Sequence, residues 1–193
     1  MPRLILAVLM VVISLPMVRP CEAARLMAMD EKGKLRGPFV ALEGHISLFS
    51  DIAESSLVAG TFGYGARGGY RWNSWGLFLA VEHNMWVATE YHAKVVQGAV
   101  NVGLGGEFIY ADGFVRTSVA AGPSILAYDT VLDDAGNVGL FLEARPLGLR
   151  WTVHEYLVIG LDPLNFAVVA PVLSGIPLVY IQYRTMIYLE AVF

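Results

Sequence analysis

The last eighteen residues of the chain, Ile176 to Phe193, alternate strictly between two kinds of side chain. One set of alternate positions carries no charge: Val179, Ile181, Tyr183, Thr185, Ile187, Leu189, Ala191 and Phe193. The other set includes Arg184 and Glu190. Successive side chains of a β-strand point to opposite faces, so a period of two over this length predicts a strand with one apolar face and one partly charged face.

The start of the chain has the three parts of a secretory signal peptide. Arg3 is positively charged, an apolar run follows from Leu4 to Val18, and small residues stand at Ala23 and Ala24. We therefore expect a signal peptide over 1–24, a periplasmic lead-in over 25–37 and one barrel domain over 38–193. Cys21 is the only cysteine and would be removed with the signal, so no disulfide is expected.

The composition of the chain favours a barrel over a helical membrane protein. Hydrophobic residues make up 56% of the chain, and glycine occurs 20 times. The most apolar stretch of the mature chain, Leu157 to Ile181, contains three prolines, and a proline inside a helix costs about 3 kcal/mol. A closed barrel is the other structure that satisfies every backbone polar group within lipid. The net charge of −4 gives no basic patch for nucleic acid.

Seven further alternating segments precede the terminal one, beginning near residues 39, 60, 75, 96, 115, 138 and 156. The connections between segments alternate in length, with short ones at 73–74, 111–113 and 152–155 and longer ones at 50–56, 87–94, 128–137 and about 170–175. Membrane barrels have short periplasmic turns and longer outer loops, so both termini are expected in the periplasm. Aromatic residues gather beside the short turns, as in an interfacial girdle.

Charged side chains fall on one face of these segments, where they are expected to meet inside a barrel. They are Glu43, Glu82, Glu107, Glu143, Asp162 and Glu190 with Arg67, Arg71, Arg116, Arg145 and Arg184. The interior of an eight-stranded barrel is just wide enough for side chains to fill it. We therefore predict that these groups pair, plug the lumen and prevent sizeable ion conductance.

Two places on the predicted strands carry a specific expectation about which way side chains face. Arg150 is the one charge on an apolar face, near a strand end where its guanidinium could reach the membrane interface. Near Pro146, Pro163 and Pro171, a bulge would exchange the two faces of a strand.

With its alternating segments and its terminal strand ending in Phe193, the mature chain resembles the small eight-stranded outer-membrane β-barrel proteins of Gram-negative bacteria. The resemblance implies an all-β, up-and-down antiparallel transmembrane barrel with a filled polar lumen. It also implies contact with outer-membrane lipid and with the barrel assembly machinery, for which Tyr188 and Phe193 belong to the assembly signal. Such barrels serve as anchors, adhesins and lipid-modifying enzymes, so the fold alone does not name the function.

One group of residues could carry chemistry. Glu43, His45 and Ser47 share one face of the first predicted strand, and a carboxylate, an imidazole and a hydroxyl are the parts of an acyl-transfer triad. The pair His45 and Ser47 is similar to the His-x-Ser pair of outer-membrane lipid A deacylases, although here Leu48 rather than asparagine follows the serine. The alternative is a polar lumen strand with a hydrogen-bonded histidine, which we favour.

The expected function is therefore non-catalytic, either structural and anchoring or a surface interaction through the outer loops. Those loops are short and acidic, with Asp51, Glu54, Glu90, Asp129, Asp133 and Asp134. No two histidines have metal-ligand spacing on one face, so we expect neither a metal site nor a cofactor. The two alternatives are a deacylase-like hydrolase using Glu43, His45 and Ser47, and a soluble periplasmic barrel of the lipocalin kind.

Overall fold

A computed structural model of the protein describes residues 36–51, 58–86, 96–128, 138–173, 176–177 and 179–193. The predicted signal peptide, almost all of the lead-in and most of the longer loops lie outside these residues. The strands are β1 (Gly37–Asp51), β2 (Val58–Trp72), β3 (Trp75–Trp86), β4 (Val96–Tyr110), β5 (Val115–Tyr128), β6 (Gly139–His154), β7 (Leu157–Ala170), β8 (Val172–Leu173), β9 (Ile176–Pro177) and β10 (Tyr180–Val192). No helix among the described residues is long and apolar enough to cross a membrane.

Eight of these strands close into one antiparallel barrel. The strands β1 to β7 pair in chain order, and β10 pairs with β7 on one side and with β1 on the other. The barrel is closed by β1 and β10, which pair from Phe39 opposite Val192 to Asp51 opposite Tyr180. Next to the pair Phe39 and Val192, the backbone N–H of Phe193 donates a hydrogen bond of 2.8 Å to the carbonyl of Pro38. The prediction of an all-β, eight-stranded antiparallel barrel is confirmed.

The terminal strand is shorter than the alternation predicted. It begins at Tyr180 rather than at Ile176, because Ile176 and Pro177 belong to β9, which pairs with β8 in a separate two-stranded hairpin. Proline has no backbone N–H to donate to a ladder, so Pro177 is a poor residue for a strand inside the barrel wall.

The outward and inward faces of the barrel differ sharply in polarity. Large apolar side chains point outward and are exposed, with Leu104 67%, Ile46 66% and Ile187 65% exposed. Twelve charged side chains of the strands point inward and are buried: Glu43, Arg67, Arg71, Glu82, Glu107, Arg116, Glu143, Arg145, Arg150, Asp162, Arg184 and Glu190. Most strands follow this alternation without interruption, as in β10, where every second residue from Tyr180 to Val192 is buried.

Strands β6 and β7 each change phase once, and both changes occur beside a proline. In β6 the inward residues are Glu143 and Arg145 before Pro146, and then Gly148 and Arg150 after it. The register between β6 and β7 shifts on both sides of Leu147. The prediction that Arg150 lies on the apolar face is therefore wrong: the bulge turns its side chain into the lumen, where it is 5% exposed. In β7 the inward phase passes from Asp162 to Asn165 across Pro163.

Inward glycines make room for large side chains of the neighbouring strand. A Cβ atom at Gly160 would overlap the ring of Tyr188, its register partner on β10. A Cβ atom at Gly63 would likewise overlap the ring of His45, its register partner on β1. The interior is therefore filled by pairing one bulky residue with one glycine across a ladder.

Candidate functional site: the charged interior of the barrel

The barrel interior holds six carboxylates and six arginines, none of them more than 9% exposed. They are Glu43, Glu82, Glu107, Glu143, Asp162 and Glu190 with Arg67, Arg71, Arg116, Arg145, Arg150 and Arg184. The eleven residues predicted for this network all lie inside, and Arg150 is the one that the sequence placed elsewhere. With equal numbers of each sign, this set of charges is formally neutral.

Among the described residues, Glu190 is the carboxylate that accepts hydrogen bonds from the most arginines. Its two oxygens accept hydrogen bonds of 3.0 and 3.1 Å from Arg71, which binds in the bidentate geometry that suits a guanidinium and a carboxylate. Arg150 donates a further bond of 2.8 Å, and Arg67 donates one of 3.3 Å. One carboxylate from the last strand therefore joins two strands from elsewhere in the wall, β2 and β6.

Arg145 lies between three carboxylates, those of Glu43, Glu143 and Asp162. Its two terminal nitrogens each donate a hydrogen bond of 2.9 Å to Glu43, which lies 102 positions earlier in the chain. One of them also donates a bond of 2.8 Å to Glu143. The other lies 3.4 Å from Asp162, which in turn accepts a 2.5 Å bond from Arg116.

Around Glu82 and Glu143, side-chain amides join the charged groups as hydrogen-bond donors. Arg184 donates bonds of 2.9 and 3.0 Å to Glu82 and one of 3.2 Å to Glu143. Glu82 also accepts bonds of 2.7 Å from both Asn84 and Asn101. The amide of Asn165 donates a bond of 2.7 Å to Glu143. The alternation of β3, and of β4 from Ala99 onward, places Asn84 and Asn101 inside. The phase change at Pro163 hid Asn165 from sequence reasoning.

Aromatic rings flank several of the buried guanidinium groups. The guanidinium carbon of Arg116 lies 4.1 Å from the ring centroid of Tyr188, and that of Arg71 lies 4.5 Å from the ring centroid of Phe39. A cation within about 6 Å of an aromatic centroid is attracted to the ring face. These contacts stabilise the positive charges of the guanidinium groups. Apolar side chains, including Phe39 and Val192, pack together in the interior near the end with the short turns.

The structure does not bring Glu43, His45 and Ser47 together. Glu43 pairs with Arg67 and Arg145. The Nε2 of His45 lies 2.6 Å from Oδ1 of Asn84, an oxygen that can only accept, so the imidazole donates this bond. The hydroxyl of Ser47 is hydrogen-bonded to the hydroxyl of Thr61 on the adjacent strand. Each of the three side chains is thus engaged by a different partner.

The two residues of the expected assembly signal lie in different surroundings. Tyr188 lies within β10, and Phe193 directly follows its last residue, Val192. Tyr188 is 3% exposed inside the lumen, whereas Phe193 is 36% exposed. In the closed barrel, only Phe193 of this pair is available to an outside partner.

No group of three or more histidine, cysteine, aspartate or glutamate side chains that could hold a metal ion occurs among the described residues. The carboxylates there are instead bound by arginines and amides. Chemically, this interior is a set of paired ions that fills and neutralises the lumen.

No model of a protein family matches the chain, and no curated protein matches it in sequence. Solved structures do match its fold. Neisserial surface protein A aligns with 81% of this chain and 97% of its own, at a TM-score of 0.59 and 15% identity. Ail, the attachment invasion locus protein of Yersinia pestis, aligns with 82% of this chain and 99% of its own, at a TM-score of 0.52 and 14% identity.

The outer membrane protein OprG of Pseudomonas aeruginosa gives a similar result, covering 85% of this chain and 99% of its own at a TM-score of 0.50 and 12% identity. This chain has the fold of the small outer-membrane β-barrels. The resemblance in architecture predicted from the sequence is therefore confirmed. At this level of identity the likeness concerns the fold alone, and the function of the chain has to be argued from its own residues.

Proposed function

We propose that the protein is a non-catalytic outer-membrane barrel with a sealed lumen, which serves as a structural or anchoring element of the envelope. The observation that carries this proposal is the distribution of polarity across the barrel wall. Exposed apolar side chains cover the outside, and six carboxylates and six arginines of the strands are buried inside in ion pairs. Apolar-outward and polar-inward strands are the pattern of a barrel that is solvated by lipid.

The length of the strands supports the same location. The barrel strands are 12 to 16 residues long, and a tilted strand needs about 9–11 residues to cross the hydrocarbon core. A soluble barrel of the lipocalin kind would place polar side chains outside and enclose an apolar cavity. Leu104, Ile46 and Ile187, each about two thirds exposed, weigh against that alternative.

A role in surface interaction is the second form of the same proposal. The matching solved structures include proteins named as a surface protein and as an attachment invasion locus protein. The acidic outer connections of this chain would be the contacting surface, and the residues expected to carry it, among them Glu54, Glu90 and Asp133, lie outside the described residues.

Fractionation of cells tests the proposed location. When the full chain is expressed in a Gram-negative host, we expect it in the outer-membrane fraction, from which detergent but not alkaline carbonate extracts it, because lipid covers its outer wall. Recovery of the folded protein in the soluble periplasmic fraction would contradict the proposal and favour the lipocalin-like alternative.

The hydrolase alternative is tested on lipid. Because Glu43, His45 and Ser47 are each bound to other partners, we expect no acyl chain to be removed. Mass spectrometry of outer-membrane lipid should give the same profile for cells with the wild-type protein, with a folded His45→Ala variant and with neither. Loss of an acyl chain in the wild-type cells alone would make the protein an enzyme.

A further inference from the structure

Only one of the two carboxylate oxygens of Glu107 accepts a hydrogen bond from a described residue. Its Oε1 accepts a hydrogen bond of 2.8 Å from Nε of Arg71. Its Oε2 is buried and has no hydrogen-bond partner among the described residues. Most buried polar atoms in proteins are paired with protein groups or with ordered water, so this oxygen requires an explanation.

Three other buried polar atoms, on residues that contact Glu107 or pair with it across the sheet, are also without a hydrogen bond: Nη1 of Arg67, Nη1 of Arg116 and Oγ of Ser118. The two guanidinium nitrogens lie 3.5 and 3.8 Å from Oε2 of Glu107, beyond ordinary hydrogen-bond distance. Ser118 is the register partner of Glu107 across β4 and β5. Side chains at directly paired positions of an antiparallel ladder start about 4.5–5.5 Å apart, so the hydroxyl shares this space.

We propose that Glu107, Ser118, Arg67 and Arg116 bind one water molecule inside the barrel. The two guanidinium nitrogens donate to the water oxygen, and the water donates to Oε2 of Glu107 and to Oγ of Ser118. This uses both donors and both acceptors of water, in line with the roughly three hydrogen bonds of a typical buried water. At 3.5 and 3.8 Å the two guanidinium nitrogens are too far from Oε2 for ordinary direct hydrogen bonds, and a water that contacts all three atoms satisfies them.

The charges around the site select a neutral ligand. A small anion would lie against the carboxylate of Glu107, and a cation would lie against the guanidinium groups of Arg67 and Arg116. All four residues are at most 4% exposed, so bulk solvent cannot screen either repulsion. A molecule that both donates and accepts hydrogen bonds and carries no charge, as water does, satisfies every group.

The site gives Ser118 a positioning role that its position in the sequence does not reveal. Through the bound water, its hydroxyl connects β5 to Glu107 on β4 and to Arg67 on β2. The ion-pair network thus contains a bound water at Glu107, Ser118, Arg67 and Arg116. The lumen of the barrel remains closed to ions.

A crystal structure of the whole protein at a resolution that shows ordered water tests the proposal. We expect a density peak within hydrogen-bond distance of Oε2 of Glu107 and of at least two of the other three atoms. A direct hydrogen bond from Arg67 or Arg116 to Oε2, with no peak between them, would overturn the proposal. A strong anomalous peak at the site after soaking in bromide would also overturn it, because the ligand would then be an anion.

A matched pair of variants tests the part played by Ser118. Ser118→Val places methyl groups where the hydroxyl was and should abolish the peak. Ser124→Val alters a buried serine on the same strand that pairs with Asn101, and should leave the peak unchanged. Persistence of the peak in Ser118→Val would show that the serine does not hold the ligand. If that variant does not fold, the wild-type density still decides the proposal.

Discussion

Replacing Glu190 with glutamine is expected to lower the free energy of unfolding by about 3–5 kcal/mol, the cost of removing one member of a buried ion pair. Three guanidinium groups, those of Arg67, Arg71 and Arg150, bind this carboxylate at 3.3, 3.0 and 2.8 Å. Glutamine keeps the size of the side chain but leaves these buried cations in excess. Urea titration of the protein refolded into lipid vesicles measures the change.

Two further variants make this result specific to the network. Glu155→Gln removes a carboxylate of the same type from an exposed turn and is expected to change stability by less than about 0.5 kcal/mol. Adding Arg150→Met to Glu190→Gln removes one of the excess cations and should recover part of the lost stability. If Glu190→Gln costs no more than Glu155→Gln, the ion pairs do not stabilise the barrel.

An arginine placed on the outward face should lower the free energy of unfolding strongly in the middle of the barrel wall and only slightly near its rim. Leu104→Arg, at the centre of β4, is expected to lower the free energy of unfolding by about 2–4 kcal/mol in lipid, whereas Val153→Arg, beside a short turn, should cost about 0–1 kcal/mol. The two residues are 67% and 60% exposed, so they differ mainly in depth.

The same titration in lipid vesicles measures both variants. In a soluble barrel, both exposed positions would face water and both substitutions would be nearly neutral. Equal costs at Leu104 and Val153 would therefore contradict a lipid-facing wall. A large cost at Leu104 alone would support it independently of any comparison with other proteins.

The sequence was sufficient to predict the fold because alternation is a strong signal when one face of a strand meets lipid. It failed where the backbone stops alternating. Pro146 and Pro163 each introduce a phase change, and residues beyond a bulge exchange faces. Arg150 was therefore assigned to the wrong side, and Asn165 was not recognised as an inward residue. Proline marks the place of such a change, but the residue at which the phase switches depends on the partner strand.

The partners of the buried charges could not be read from the sequence. Arg145 binds Glu43 and Arg184 binds Glu82, in both cases 102 positions away along the chain. These pairs form across the lumen and depend on the closed barrel and on side-chain length. Alternation predicts which charges lie inside, but not which of them meet.

The sequence placed Glu43, His45 and Ser47 on one face of a strand, but it could not tell which partner each of them binds. Alternate residues of one strand share a face, but at about 3.3 Å per residue they stand more than 6 Å apart. A neighbouring strand lies closer, at about 4.8 Å. Ser47 therefore bonds to a side chain of the adjacent strand β2. His45 bonds to Asn84 of β3, one strand further away, across Gly63, the β2 residue that is the register partner of both.

The central claim is that a lipid-embedded barrel is sealed by its own paired charges, and electrical recording tests it most directly. Purified protein is inserted into planar lipid bilayers, with insertion verified by protection of the barrel from protease. We predict no stable unitary current steps, because the buried ion pairs and the apolar side chains fill the lumen. Reproducible single-channel steps from the wild-type protein would contradict the claim and identify the barrel as an open pore.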